Sequence, residues 1–211
     1  MSARTGKFIT FEGIEGVGKS TQVALAAQWL RARGVEHLIT REPGGTPLAE
    51  KIRDLVLVPR AEVLPPMAEL LLMFSARAVH LHNLIEPALQ AGQWVLCDRF
   101  TDATFAYQGA GRGIDPQSIA TLERLVQAGR QPDLALLLDL PVESGMQRVA
   151  QRGQQQDRFE RERVDFFERV RQGYLQRAKD AAQRFRIIDA SAEIGVVQGH
   201  IAAALQSVLA E

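Results

Sequence analysis

The chain has 211 residues, enough for one α/β domain with a sizeable core, and its 46% hydrophobic and 24% charged content is that of an ordinary soluble globular protein. Lys plus Arg number 25 and Asp plus Glu number 25, so a net charge of zero gives no bulk argument for a nucleic-acid or membrane partner. A single cysteine, Cys97, excludes an internal disulfide and suits a reducing cytoplasm. Met1 to Lys7 is basic without an apolar signal core behind it. No run approaches the ~18 apolar residues of a membrane helix; Glu69, Arg77, His80, His82 and Glu86 interrupt the longest candidate.

In chain order, Phe8 to Phe11 reads as a strand ending at Gly13. Val23, Ala26, Ala27 and Leu30 then share one helical face, with Gly34 as the stop. Leu38 to Thr40 is a second strand, Pro43-Gly44-Gly45-Thr46-Pro47 a loop, and a helical pattern follows to about Leu57. Pro65 and Pro66 open a long helical stretch to about Gly92, and Trp94 to Cys97 is a third strand ending at Asp98. Asp115 and Pro116 cap and start another helix. The apolar run Leu134 to Leu138 reads as a buried parallel strand ending at Asp139. Arg163 to Arg184 is a long polar helix, Arg186 to Asp189 the last strand, and Val197, Ile201, Ala204, Leu205 and Val208 mark a closing amphipathic helix. Strands alternating with helices argue for a parallel, doubly wound α/β sheet of five strands, a single domain over residues 1–211. Right-handed crossovers would put Gly13, Arg41 and Asp98 along one sheet edge.

Gly13-Ile14-Glu15-Gly16-Val17-Gly18-Lys19-Ser20, followed by Thr21, carries the Gly-x4-Gly-Lys-Ser spacing of a P-loop between a strand and a helix. Its glycines let backbone N–H groups curl around phosphates at a helix N-terminus. Lys19 would reach the β- and γ-phosphates of a nucleoside triphosphate, and the Ser20 hydroxyl would ligate Mg²⁺. A kinase, a switch GTPase and a motor-type ATPase all use this loop. The guanine-reading Asn-Lys-x-Asp is absent, and Asp98-Arg99 stands where a switch would carry Asp-x-x-Gly, which leans toward a small-molecule kinase.

Further blocks accompany the loop: Thr40-Arg41-Glu42-Pro43-Gly44-Gly45-Thr46, Asp98-Arg99-Phe100, Ala106-Tyr107-Gln108-Gly109, Leu138-Asp139-Leu140-Pro141 and Asp157-Arg158-Phe159-Glu160. From about Phe8 to Asp189 the series resembles the thymidylate kinase family of nucleoside monophosphate kinases, which makes dTDP from dTMP and ATP. The resemblance implies a P-loop kinase fold, ATP and Mg²⁺, a homodimer built through helices and an acceptor site assembled from these blocks. Arg41 and Arg99, just past strand ends, would grip phosphate as guanidinium forks, although a surface ion pair would place arginines there too. Phe74 and Arg77 share a helical face; spacing alone reads them as core and surface, whereas in the family the matching residues stack on thymine and bond its carbonyl. Glu15 matches an acid near the sugar 3′-hydroxyl or a metal water. Thr104, Tyr107 and Gln108 match the stretch that reads the base and closes over deoxyribose, with Thr104 departing from relatives that place Asn there. Asp98 matches an acid near Mg²⁺, a strand-end cap being the alternative.

Residues 148–163 correspond to the family's lid over ATP, with Arg148, Arg152, Arg158, Arg161 and Arg163 interleaved with acids. Some relatives place an arginine where this chain has Gly16, so the resemblance assigns the catalytic cation to the lid: Arg152 first, Arg158 second, and Arg148 for adenine or phosphate. Kinases for other monophosphates and a non-catalytic nucleotide switch are the rival readings. His37, His80, His82 and His200 show no metal-ligand spacing.

Overall fold

A computed structural model describes residues 6–59, 61–151, 158–160 and 162–210. Five parallel strands form one sheet in the order β2-β3-β1-β4-β5, where β1 is Phe8–Glu12, β2 His37–Arg41, β3 Trp94–Asp98, β4 Leu134–Asp139 and β5 Phe185–Asp189. Every residue of the central β1 is buried, which explains its unbroken Phe-Ile-Thr-Phe reading. The edge strands differ: Ile39 on β2 and Ile187 on β5 are each more than half exposed.

Helices cover both faces and inherit sequence-encoded ends. α1 (Lys19–Arg31) buries Val23, Ala26, Ala27 and Leu30, the face that the periodicity predicts. It stops where Gly34 takes φ +70° and donates to the Arg31 carbonyl. α2 (Pro47–Leu57) is capped by Thr46, whose Oγ1 accepts from the Ala49 N–H, with Pro47 at its first position. α6 (Pro116–Gln127) repeats the device with Asp115 and Pro116. The expected 66-to-92 stretch is helical throughout but not uniform: α3 (Pro66–His80) passes through a π-helical turn (Leu81–Ile85) into α4 (Glu86–Gln90). The long polar helix, α8 (Val164–Asp180), ends four residues short of the expected Arg184, and β5 starts at Phe185. The closing helix is α9 (Ile194–Leu209).

Two elements escape the sequence patterns. α5 (Thr101–Thr104) continues into a seven-residue π-helical segment (Phe105–Gly111), and most of both is buried. A segment enclosed on all sides carries no amphipathic stripe. α7 (Val142–Ala150) leads into the expected lid and overlaps it only at residues 148–150. None of the helices among the described residues is long and apolar enough to cross a membrane.

Candidate active site

The parallel registers bring the strand C-termini level: Arg41 pairs with Asp98 and Phe11 with Asp98, so the phosphate loop and Arg99 open into one cleft. The loop needs left-handed backbone at Gly13, Gly16 and Gly18, with φ of +132°, +77° and +91°. Two of these glycines are also held by sterics: a Cβ on Gly13 would lie 2.4 Å from the Leu138 carbonyl oxygen, and one on Gly16 2.1 Å from that of Gly145. Ile14 and Val17 turn inward and are buried, while Ser20 and Thr21 sit exposed on the first turn of α1.

Lys19 arches back over the loop, its buried Nζ donating to the carbonyls of Gly13 at 3.1 Å and Ile14 at 2.9 Å. Burial, and then the neighbouring Arg99, pull its pKa down to about 8. Arg99 enters from the end of β3 with a left-handed φ of +69°. Its Nη1 donates to the Gly13 carbonyl at 2.7 Å and to the Tyr174 hydroxyl at 3.0 Å, and its Nη2 to Glu15 Oε1 at 2.8 Å. The other Glu15 oxygen accepts from the Tyr107 hydroxyl, and the Arg99 guanidinium lies 4.8 Å from the Tyr107 ring centroid. Lys19, Arg99, Glu15 and Tyr107 are thus one connected cluster on the phosphate loop.

Beneath it, the fully buried Glu12 accepts from the Phe100 N–H at 2.9 Å. Burial first, and Asp102 second, push its carboxyl up to about 8. Asp98 is the open metal-type position: its Oδ1 is buried without a hydrogen-bond partner among the described residues, and Ser20 lines the same cleft. A hard carboxylate oxygen beside a hydroxyl suits Mg²⁺, which takes few protein ligands and completes its shell with water and phosphate. The described residues hold no group of three or more His, Cys, Asp or Glu that could hold a metal ion by themselves.

The rest of the cleft departs from expectation in three places. Arg41 does not line it; half-exposed, it pairs with Glu50 at 2.9 Å in a neighbouring groove. Arg53 on α2 does line it, its Nη1 fixed on the Pro43 carbonyl at 2.7 Å. Phe74 faces inward, packed with Leu70 and Ile119, and Met73 occupies the cleft wall instead. One step of ~100° around α3 separates the two faces, and the all-round apolar run Leu70 to Phe74 gives no sign of which residue meets the cleft. Arg158 bonds the Val56 carbonyl at 2.9 Å and forms an ion pair with the buried Glu69, outside the cleft lining. Its neighbours Phe159 and Glu160 do reach the lining. Arg152 lies outside the described residues. Arg148 directs Nη1 at the Gly16 carbonyl at 3.5 Å and the Ala190 carbonyl at 3.2 Å.

Gln108 is buried with Nε2 on Glu69 Oε1 at 2.8 Å and its own carbonyl oxygen unpaired. Arg77, 1% exposed, donates Nε to Glu42 Oε2 at 2.7 Å and Nη2 to Thr104 Oγ1 at 3.0 Å, leaving Nη1 buried and unpaired. The structure therefore gathers Glu15, Lys19, Ser20, Asp98, Arg99, Tyr107 and Gln108 around one cleft, with Arg77 and Thr104 bonded behind its wall. Sequence reasoning gave no role to Glu42, Arg53, Glu69, Met73 or Tyr174, because charged residues on helices read as solvated faces and the others as ordinary core. Glu42 alone carried a signal, its place inside the Arg-Glu-Pro-Gly-Gly-Thr block.

Known proteins match this chain over nearly its whole length. The sequence profile of the family described as thymidylate kinase matches residues 11–201. The thymidylate kinase of Chromohalobacter salexigens is 62% identical over 206 residues, 97% of each chain. That of Teredinibacter turnerae is 54% identical over 205 residues, covering 97% of this chain and 100% of the other. The crystal structure of thymidylate kinase from Ehrlichia chaffeensis superposes with a TM-score of 0.78 at 34% identity, covering 95% of this chain and 99% of that one.

Proposed function

The chain belongs to the thymidylate kinase family, enzymes that phosphorylate dTMP with ATP, and we propose that the cleft beneath its phosphate loop is where that transfer takes place. The observation that carries the assignment is the convergence of two cations, Lys19 and Arg99, on the Gly13 carbonyl. Both side chains hold backbone oxygens with donors that a phosphate would take over, so polyanion binding exchanges weak acceptors for strong ones. The loop N–H groups from Gly13 to Thr21 would cradle the ATP phosphates, with Lys19 along the β–γ bridge. Ser20 and Asp98 would hold Mg²⁺, which would supply positive charge against the phosphates.

Arg99 and Arg53 line the cleft, and they are the pair we assign to the dTMP phosphate, with Arg41 left on Glu50. Glu15 and Tyr107 would hold the deoxyribose edge, and Arg77, Thr104 and Gln108 the base. A phosphate monoester has a second pKa of about 6, so the acceptor is already a dianion near neutral pH and no general base is needed. The chain's task is to align the two phosphates and spread charge. The remaining cation is assigned to the lid at 148–163, Arg152 ahead of Arg158, because Gly16 brings none. We further propose a single kinase domain working in the cytoplasm as a homodimer.

The test is an acceptor panel of dTMP, dUMP, UMP, CMP, AMP and GMP with ATP and Mg²⁺. A dTMP preference is expected; preference for a purine monophosphate, or no transfer at all, overturns the assignment. Lys19→Ala is expected to keep its fold by circular dichroism and to lose kcat at least about a hundredfold. Arg152→Ala is expected to lose roughly a thousandfold; a near-normal rate moves the role to Arg158.

A further inference from the structure

Arg77 and Thr104 belong to a longer chain of buried side chains, whose members Thr40, His80 and Glu42 have no part in the reaction as described so far. Thr40 Oγ1 on β2 lies 2.7 Å from His80 Nε2 on α3, and His80 Nδ1 lies 3.0 Å from Glu42 Oε1. The other Glu42 oxygen takes Arg77 Nε, and Arg77 Nη2 ends the chain on Thr104 Oγ1. His80 and Thr104 are 0% exposed, and Thr40, Glu42 and Arg77 are at most 7% exposed. The carboxylate beside Arg77 only accepts, so the His80 Nδ1–H must donate to it. Room for this arrangement is made at Gly45, φ +86°, where a Cβ would sit 2.4 Å from His80 Nε2 and 2.5 Å from Thr40 Oγ1.

We infer that His80 is a positioning residue for base recognition: by occupying Glu42 Oε1 it keeps Glu42 monodentate on Arg77 and so fixes the direction of the one unpaired Arg77 nitrogen. The inference rests on the reading that Arg77 meets the pyrimidine carbonyl. The favoured geometry of a carboxylate against arginine is bidentate, along the edge formed by Nε and Nη2. With Oε1 free, Glu42 would rotate into that fork, draw Nη2 off Thr104 and turn Nη1 away from its present direction. The Phe74 and Phe100 rings, 4.8 and 5.1 Å from the guanidinium carbon, set the plane in which it turns. His80 thereby acts on the base through two other side chains without touching it.

Asparagine and glutamine separate this role from packing. Asn places its amide nitrogen near the position of Nδ1, and Gln near that of Nε2. His80→Gln is expected to raise KM for dTMP roughly tenfold, with kcat and the ATP KM little changed, and to lower the dTMP over dCMP preference in kcat/KM by a similar factor. His80→Asn is expected to restore both values to within about threefold of the parent. If the two substitutions behave alike, or if His80→Gln keeps the parent's dTMP preference, the inference is overturned. Should the His80 variants fail to fold, Thr40→Val removes the outer end of the chain nearly isosterically and is expected to lower the same preference; an unchanged preference overturns the inference there too. Arg77→Gln run alongside identifies which link fails: an unchanged dTMP preference in that variant rejects the base-reading role itself, whereas a lost preference there with an intact one in His80→Gln rejects only the positioning role.

Discussion

Lys19 is charged or neutral depending on what lies in the loop. Without phosphates it is buried against carbonyls beside Arg99, and its pKa of about 8 leaves part of the population neutral in mildly alkaline solution. An anionic nucleotide favours the ammonium and raises that pKa, so ATP binding at pH 8 to 9 should draw in a proton. Calorimetry in buffers of different ionisation enthalpy should register that uptake and show it lost in Lys19→Met. ATP affinity should fall as pH rises above 8, the range in which free Lys19 gives up its proton. Glu12 works in the opposite sense. Its carboxyl goes from an ordinary 4.5 to about 8 on folding, so between those values the folded chain holds a proton that the unfolded chain releases. Its contribution is therefore lost as pH climbs through that window and is constant above it. Glu12→Gln fixes the neutral form: its melting temperature relative to the parent should rise between pH 5 and pH 8.5. The phosphate loop itself was legible because its glycines and Lys19 are required by the geometry of phosphate binding. The partners of Arg99 were not, because a pairing such as Glu15 with Tyr107, 92 positions apart, leaves no mark on either residue's local pattern.

At the scale of elements, Tyr107 and Gln108 ride on the π-helical segment Phe105–Gly111, and α8 presses directly on it. A Cβ on Gly173 would lie 2.7 Å from that of Ala110, and one on Gly111 2.7 Å from the Phe166 ring. This close approach is what seats Tyr107 and Gln108. Gly173→Ala should destabilise the chain by about 1–3 kcal/mol in urea unfolding, the usual cost of overpacking, and raise the KM for dTMP more than that for ATP. Strands and their order along the chain followed from short apolar runs, and Asp115 with Pro116 announced α6 correctly. The segment after Arg99 resisted because Thr101, Asp102, Thr104 and Gln108 are polar yet buried. Asp102, for example, is held by Arg177 and Arg184 from α8 and the turn after it, partners that no window of sequence around it contains.

At the scale of the whole molecule, the order β2-β3-β1-β4-β5 puts β1 at the centre with crossovers to both sides. The phosphate loop thus leaves the sheet at its switch point, where open α/β sheets bind ligands. Opposite in character is the outer surface of α2 and α3, where Leu48, Leu55, Met67 and Leu71 are each about half exposed. Such a cluster suits the proposed homodimer. Leu55→Glu combined with Leu71→Glu should convert the dimer to a monomer in analytical ultracentrifugation while leaving the far-ultraviolet spectrum unchanged; a dimer that survives both substitutions would place the contact elsewhere.

Gly16 carries an implication for how such enzymes diverge. The Gly145 carbonyl of α7 stands 2.1 Å from where its Cβ would be, and the backbone there is left-handed. A lineage that moved its cationic residue from the lid into the loop could not do so by changing codon 16 alone, since the first mutant would wedge the loop off α7. The route runs through a prior displacement of Gly145, so the two arrangements are separated by more than one substitution and a lineage within the family is expected to keep whichever it began with.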